Sequence, residues 1–141
     1  MAAPDSKLEM LRNVSLFSTM SPKELAAVEQ LADTVDLPAG HVLVRQGSSG
    51  AEAFVIASGG VRVERDGREL GILGPGDVVG EMALLSEAPR NATATTTEPT
   101  TLFVLAHREF HSLMDQSADV RRCVMEAVAE RIRNLEATRA N

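Results

Sequence analysis

Trp and Tyr are absent from the 141 residues and Phe occurs only four times. The chain therefore has few rings on which to stack bases, which excludes a single-strand RNA or DNA platform built on aromatic side chains. Cysteine is nearly as scarce: with Cys123 alone, neither an intramolecular disulfide nor an all-cysteine zinc site can form. Positive charge is in deficit, because 14 Lys and Arg against 20 Asp and Glu leave a net charge of −6. A dedicated nucleic-acid binder carries a basic excess instead. Long apolar runs are missing too. The longest, Ala53–Ala57 and Leu102–Ala106, hold five residues each, against about 20 for a bilayer span. No transmembrane helix is expected. The opening Met-Ala-Ala-Pro-Asp-Ser-Lys leads into no continuous apolar stretch of the kind a secretory signal needs, so a cytoplasmic location is expected.

What is present has the length of one domain, without repeats, low-complexity tracts or an interdomain linker. Ser21-Pro22-Lys23-Glu24 joins an N-cap Ser, a Pro at the first helical position and a Glu three residues on, which predicts a helix start. Leu25, Val28 and Leu31 then give that helix one apolar face, and a shorter helix around Leu8 and Leu11 precedes it. From Asp33 to Ala106, apolar stretches of four to seven residues alternate with turn signals such as Gly47-Ser48-Ser49-Gly50, Asp66-Gly67 and Gly74-Pro75-Gly76-Asp77. Seven or eight short strands at this spacing predict a sandwich, jelly roll or barrel. After His107 the pattern is helical again, to about Asp115 and then from Ser117 to about Thr138. Val120, Val124, Val128, Ile132 and Leu135 form a long apolar stripe on the last helix, suited to the β-core, to a dimer seam or to a mobile lid.

The stretch that carries chemistry is Gly80-Glu81-Met82-Ala83-Leu84-Leu85-Ser86-Glu87-Ala88-Pro89-Arg90-Asn91-Ala92-Thr93. A Gly lets backbone approach a ligand, a short helical turn exposes N–H donors to an anion, and Arg90 adds a planar fork suited to two phosphate oxygens. Glu81 cannot hold phosphate, since an ionised carboxylate only accepts hydrogen bonds. It needs a donor, and a ribose hydroxyl beside the phosphate supplies one. From residue types alone, a nucleotide site and a surface Glu81–Arg90 ion pair of little energetic weight are both open.

Other motifs are better explained by structure. His107 and His111 stand four apart on a helix, yet no acidic or cysteine ligand follows, so a helix start with Phe110 buried is expected. His41 stands alone on a strand, and a metal enzyme of the cupin kind lacks its histidine cluster; no metal site is expected. The glycines from Gly74 to Gly80 have neither dinucleotide-loop spacing nor a following P-loop Lys-Ser/Thr. Cys123 lies inside a helix with no base in sight, and no Ser-His-Asp grouping is apparent, so an enzyme is not expected.

The segment from Gly80 to Thr93 resembles the phosphate-binding cassette of the cyclic nucleotide-binding domain family, found in protein kinase A regulatory subunits, cyclic nucleotide-gated channels and the catabolite activator protein. It matches Gly-Glu-(apolar)-(small)-Leu-(apolar), a spacer, then Pro-Arg-x-Ala-(Ser/Thr) throughout. The likeness reaches upstream to Gly47, Phe54-Val55-Ile56 and Gly59 and downstream to the paired C-terminal helices. It implies a single domain over 1–141: N-terminal helices over 1–33, an eight-stranded jelly-roll-like β-roll over 34–106 with the cassette at 80–93, and hinge and lid helices over 107–141. It implies that Gly80, Glu81, Met82 and Ala83 meet ribose and phosphate, that Arg90 neutralises the phosphate and that the N–H groups of Asn91 and Ala92 complete the cradle. The base is left to Val63, Met82 and the last helix. The implied ligand is a 3′,5′-cyclic nucleotide: cAMP rather than cGMP, because cGMP-preferring relatives tend to carry a hydroxyl residue where Asn91 stands. The family's acidic partner for the arginine falls on Ala51, with Glu52 one place later and, by strand alternation, facing the other way. A degenerate, non-binding dimerisation or docking module is therefore the alternative. In relatives of the catabolite activator kind a helix-turn-helix output domain follows the last helix; residues for one are not among the 141, and no nucleic-acid binding is expected of them. A homodimer through the last helix is the expected protein partner.

Overall fold

The computed structural model describes residues 6–140, with side chains from 7 to 135. Residues 1–5 and Asn141, which the single-domain expectation includes, lie outside them. Two helices, α1 (Ser6–Arg12) and α2 (Pro22–Leu31), flank a 3-10 turn at Ser15–Phe17. The strands are β1 (Asp33–Leu37), β2 (Val42–Val44), β3 (Ser49–Gly50), β4 (Glu52–Ser58), β5 (Val61–Arg65), β6 (Arg68–Leu73), β7 (Val78–Val79), β8 (Ala88–Pro89), β9 (Thr93–Thr96) and β10 (Thr100–Ala106). A 3-10 turn, Glu81–Leu84, separates β7 from β8, and α3 (His107–Gln116) and α4 (Ala118–Ala140) close the chain. At the start of α2 the expected capping box is formed: Ser21 Oγ accepts the Glu24 N–H at 3.4 Å, and Glu24 Oε1 accepts the Ser21 N–H at 3.2 Å. Those Ser21 contacts hold the Glu24 carboxyl below its ordinary range.

The two four-stranded antiparallel sheets have the orders β1-β10-β4-β7 and β2-β9-β5-β6. Together they supply the eight strands of the roll. The remaining pair, β3 with β8, is a ribbon of two residues from each strand. It raises the count to ten and carries no sequence signal, because Ser49-Gly50 and Ala88-Pro89 have loop composition and no alternation.

Both faces of the first sheet are covered. On β4, Ala53 and Val55 join a core shared with the helices, whereas Phe54 and Ile56 join a second core between the sheets. On β10, Phe103 and Leu105 face the helices while Leu102 packs inside the roll. A strand buried on both faces reads as an unbroken apolar run rather than an alternation. This is why the two longest apolar runs in the sequence are the two central strands of this sheet. The second sheet is covered on one side only, and its β6 exposes Leu70 and Ile72. Among the described residues, no helix is long and apolar enough to cross a membrane.

Candidate functional site

The cassette is built by three short elements meeting at one end of the roll. Strand β7 ends at Val79, and Gly80 turns the chain with φ of +73°, a left-handed conformation that L side chains rarely adopt. Next comes the 3-10 turn Glu81–Leu84, anchored by Leu84, which is fully buried. Four residues of 3-10 turn lack the aligned dipole of a long helix, which leaves the Arg90 guanidinium as the fixed positive charge of this segment. Just beyond ribbon β3–β8, the Gly47-Ser48 turn holds the Arg90 backbone by both of its polar groups. The Arg90 N–H donates to Ser48 O and the Gly47 N–H donates to Arg90 O, each at 2.8 Å.

The Arg90 side chain passes between two glycines. A Cβ on Gly50 would lie 1.8 Å from Arg90 Nε, and one on Gly80 would lie 2.1 Å from Arg90 Nη1. Either methyl group would expel the guanidinium. Arg90 Nη2 donates to Glu52 O at 2.7 Å, so Glu52 serves the arginine through its backbone carbonyl. Its carboxylate makes no ion pair with Arg90, and none of the described ion pairs uses Arg90. Burial pushes the guanidinium down from its ordinary value against the opposing pull of the Glu52 charge. The result is a seated cation with no carboxylate partner.

Glu81 has gone elsewhere. Its carboxylate accepts from Ser15 Oγ (2.8 Å to Oε1, 3.0 Å to Oε2), from the Leu16 N–H (3.1 Å) and from Arg131 Nη1 (3.0 Å). The Glu81–Arg90 surface pair left open by the sequence is thus replaced by a Glu81–Arg131 pair.

Two adjoining cavities share Val78, Gly80, Arg90 and Asn91. The polar one, of about 390 Å³, is lined also by Glu81, Met82, Ala83 and Arg131. The apolar one, of about 160 Å³, is lined by Val44, Val63, Leu73, Ala92 and Ala94 among others. All eight residues singled out from the sequence therefore border this pair of cavities: Gly80, Glu81, Met82, Ala83, Arg90, Asn91 and Ala92 from the cassette, and Val63 from β5. The structure adds Gly50, Ser15 and Arg131. Gly50 had a signal, since it closes the turn segment Gly47-Ser48-Ser49-Gly50 before β4, but Ser15 and Arg131 had none. Among the described residues of α4, Arg131 alone borders the cavities; Ile132 and Leu135, expected to cover a base, do not line them.

The hinge is tied to the cassette by its histidines. His107 Nδ1 lies 2.8 Å from Ala83 O and His111 Nε2 lies 3.3 Å from Leu85 O, and the two rings stack with centroids 4.1 Å apart. Because carbonyls only accept, these nitrogens carry the protons. Phe110 between them is fully buried. Among the described residues no group of three or more His, Cys, Asp or Glu is placed to hold a metal.

An arginine seated by glycines on a Gly-Glu turn, at the end of a β-roll with helices on both flanks, defines a cyclic nucleotide-binding domain. The family model of that name matches residues 34–117, and the chain belongs to this family. The CRP-like cAMP-activated global transcriptional regulator of Mycobacterium tuberculosis is 29% identical over 130 residues, covering 89% of this chain and 58% of that protein. The cyclic AMP receptor protein of Thermus thermophilus is 30% identical over 131 residues, covering 89% of this chain and 61% of that protein. The chain thus spans about three fifths of the length of these curated relatives. Among solved structures, the N-terminal domain of a transcriptional regulator from Streptomyces coelicolor superposes with a TM-score of 0.84 at 29% identity, covering 92% of this chain and 93% of that one.

Proposed function

We propose that the chain is a ligand-gated regulatory domain that binds a 3′,5′-cyclic nucleotide, cAMP by preference, and passes the binding event to α4. It performs no chemistry of its own. The observation that carries this reading is Arg90, a seated guanidinium whose one side-chain hydrogen bond among the described residues goes to a carbonyl oxygen. Arg90 borders both cavities beside Gly80, and its remaining donors would take the oxygens of a cyclic phosphodiester there. The amides of Asn91 and Ala92 would add donors, Glu81 would accept the ribose 2′-hydroxyl, and Val63 and Met82 would flank the base. Relatives named for cAMP support the choice of base. A second copy of the chain, meeting it through α4, is the proposed protein partner.

Titration calorimetry with cAMP, cGMP and 5′-AMP tests this directly. cAMP should bind most tightly, and Arg90→Ala should cost about a hundredfold in affinity, the weight of a charge-assisted bidentate contact. Arg90→Lys should recover little, because an ammonium cannot reproduce the planar fork. If none of the three nucleotides bound, the domain would be a docking module that keeps the fold without the ligand. If Arg90→Ala bound like wild type, the phosphate would be held by something else.

A further inference from the structure

Glu81 is already engaged for a residue waiting to receive a ribose hydroxyl. Three donors meet its carboxylate: the Ser15 hydroxyl, whose single proton is shared between the two oxygens, the Leu16 N–H on Oε1 and Arg131 Nη1 on Oε2, the last from a side chain that borders the polar cavity. These donors come from both ends of the chain. The family model spans 34–117, so Glu81 lies within the shared domain while Ser15, Leu16 and Arg131 all lie outside it. The carboxylate is therefore held by groups from both segments that flank the family match. We infer that these contacts form a latch in which Ser15 positions the Glu81 carboxylate for the ribose while Arg131 occupies the acceptor site that the ribose hydroxyl requires. The inference rests on the proposal that Glu81 reads the ribose.

Which donor yields is decided by anchoring. Ser15 and Leu16 sit in a 3-10 turn pinned by Val14 and Leu16, each 1% exposed, and by Phe17, which is fully buried against Phe110 with ring centroids 5.5 Å apart. That turn cannot withdraw without opening the helical core. Arg131 is a long, half-exposed side chain on the outer half of α4, and water can take over its guanidinium at little cost. Arg131 is therefore the group exchanged. When a 2′-hydroxyl donates to Oε2, Arg131 leaves and also releases Met82 Sδ, which it contacts at 3.4 Å. Met82 is the residue proposed to flank the base, so a single exchange frees the base-facing side chain and detaches α4 from the cassette. Ser15, donating to both carboxylate oxygens, keeps the carboxylate from following Arg131. It is a positioning residue, and it is exposed enough to be altered without loss of fold.

The test is calorimetry of wild type, Ser15→Ala, Ser15→Thr and Arg131→Ala with cAMP and with 2′-deoxy-cAMP. Ser15→Ala should weaken cAMP binding about fivefold, as expected for loss of a hydrogen bond to a charged group that is partly compensated by water. Ser15→Thr, which restores a hydroxyl, should return it to wild type. Arg131→Ala should tighten cAMP about threefold, the scale of a half-exposed ion pair. Neither Ser15 variant should change the affinity for 2′-deoxy-cAMP, which has no hydroxyl to offer Glu81, and Arg131→Ala should shift it less than it shifts cAMP, because only the release of Met82 is then felt. Equal shifts with both ligands, or no shift with cAMP in either Ala variant, would overturn the latch. If wild type bound the two ligands equally, the failure would lie earlier, in the assignment of Glu81 to the ribose.

Discussion

The two halves of α4 carry one continuous apolar stripe and do opposite things with it. In the first half, Val120 is 1% exposed and Val124 is fully buried, both in the core shared by the helices and the first sheet, with Cys123 between them. In the second half, Ile132 is 51% exposed and Leu135 is 58% exposed, and the helix touches the cassette through a charged residue, Arg131. Hydrophobic periodicity reports that a helix has an apolar face; it is silent on whether anything covers that face. The first half is a structural element. The second is an apolar surface held beside the candidate site without being buried in it, which suits the proposed movement of this helix.

The sharpest way to break this comparison is to put the same charge into each half. Val124→Asp forces a carboxylate into a dry core with no partner and should cost about 4 kcal/mol or more, enough to threaten folding of a domain of this size. Leu135→Asp, on the same stripe, should stay within about 0.5 kcal/mol. Urea denaturation of both variants gives the answer, and similar losses would mean that the outer half is as firmly packed as the inner.

Much of this layout is legible in the sequence, and what is hidden has a physical reason. Strands β4 and β10 announce themselves as the two five-residue apolar runs because both of their faces are buried. Helix α2 is marked by Ser21-Pro22-Lys23-Glu24, whose capping interactions are local. The cassette is legible for the same reason: Gly80, Glu81, Arg90 and Asn91 lie within one short segment, so their spacing survives as a motif. Ser15 and Arg131 are 66 and 50 positions from Glu81, and no local pattern can signal a partner so distant. On the sequence they are a turn serine and a solubilising arginine. Glu52 shows a third kind of gap, since its contribution to Arg90 is a backbone carbonyl, which every residue type possesses.

A smaller effect follows from removing the outer half altogether. Ending the chain after Glu130 keeps Val120, Cys123, Val124 and Ala127 in the core, so stability should be close to that of the full chain. It removes Arg131 together with Ile132 and Leu135, hence both the latch and the proposed lid. Burying one such aliphatic side chain contributes about 1.5–3 kcal/mol, more than an exposed ion pair withholds. The truncated domain should therefore bind cAMP about tenfold more weakly than wild type despite losing its competitor for Glu81. Were it to bind as tightly as Arg131→Ala, the aliphatic stripe would contribute nothing to the bound state.

The smallest expected change is also the one that reads both halves at once. Amide exchange in residues 120–128 is governed by opening of the helical core, because the side chains on that face are buried; nucleotide bound at the cassette should leave those rates nearly as they are. Exchange in residues 131–138 is governed by local opening of a helix end that meets the cassette through the half-exposed Arg131–Glu81 pair, and it should be faster than in 120–128 in the free protein. Arg131→Ala should quicken it further without affecting 120–128. On the proposed exchange, cAMP would displace the Arg131 contact and offer the outer stripe a purine to cover, so the rates beyond residue 130 should fall in wild type and variant alike, converging on one value because the bound state would no longer use the latch. The convergence is the discriminating feature, since a lid that merely tightened its present contacts would leave the variant faster than wild type even when saturated. Rates beyond residue 130 that stayed unchanged while calorimetry showed cAMP bound would make the outer half of α4 a fixed seam to a second copy, and the two halves of the helix would then differ only in which partner buries them.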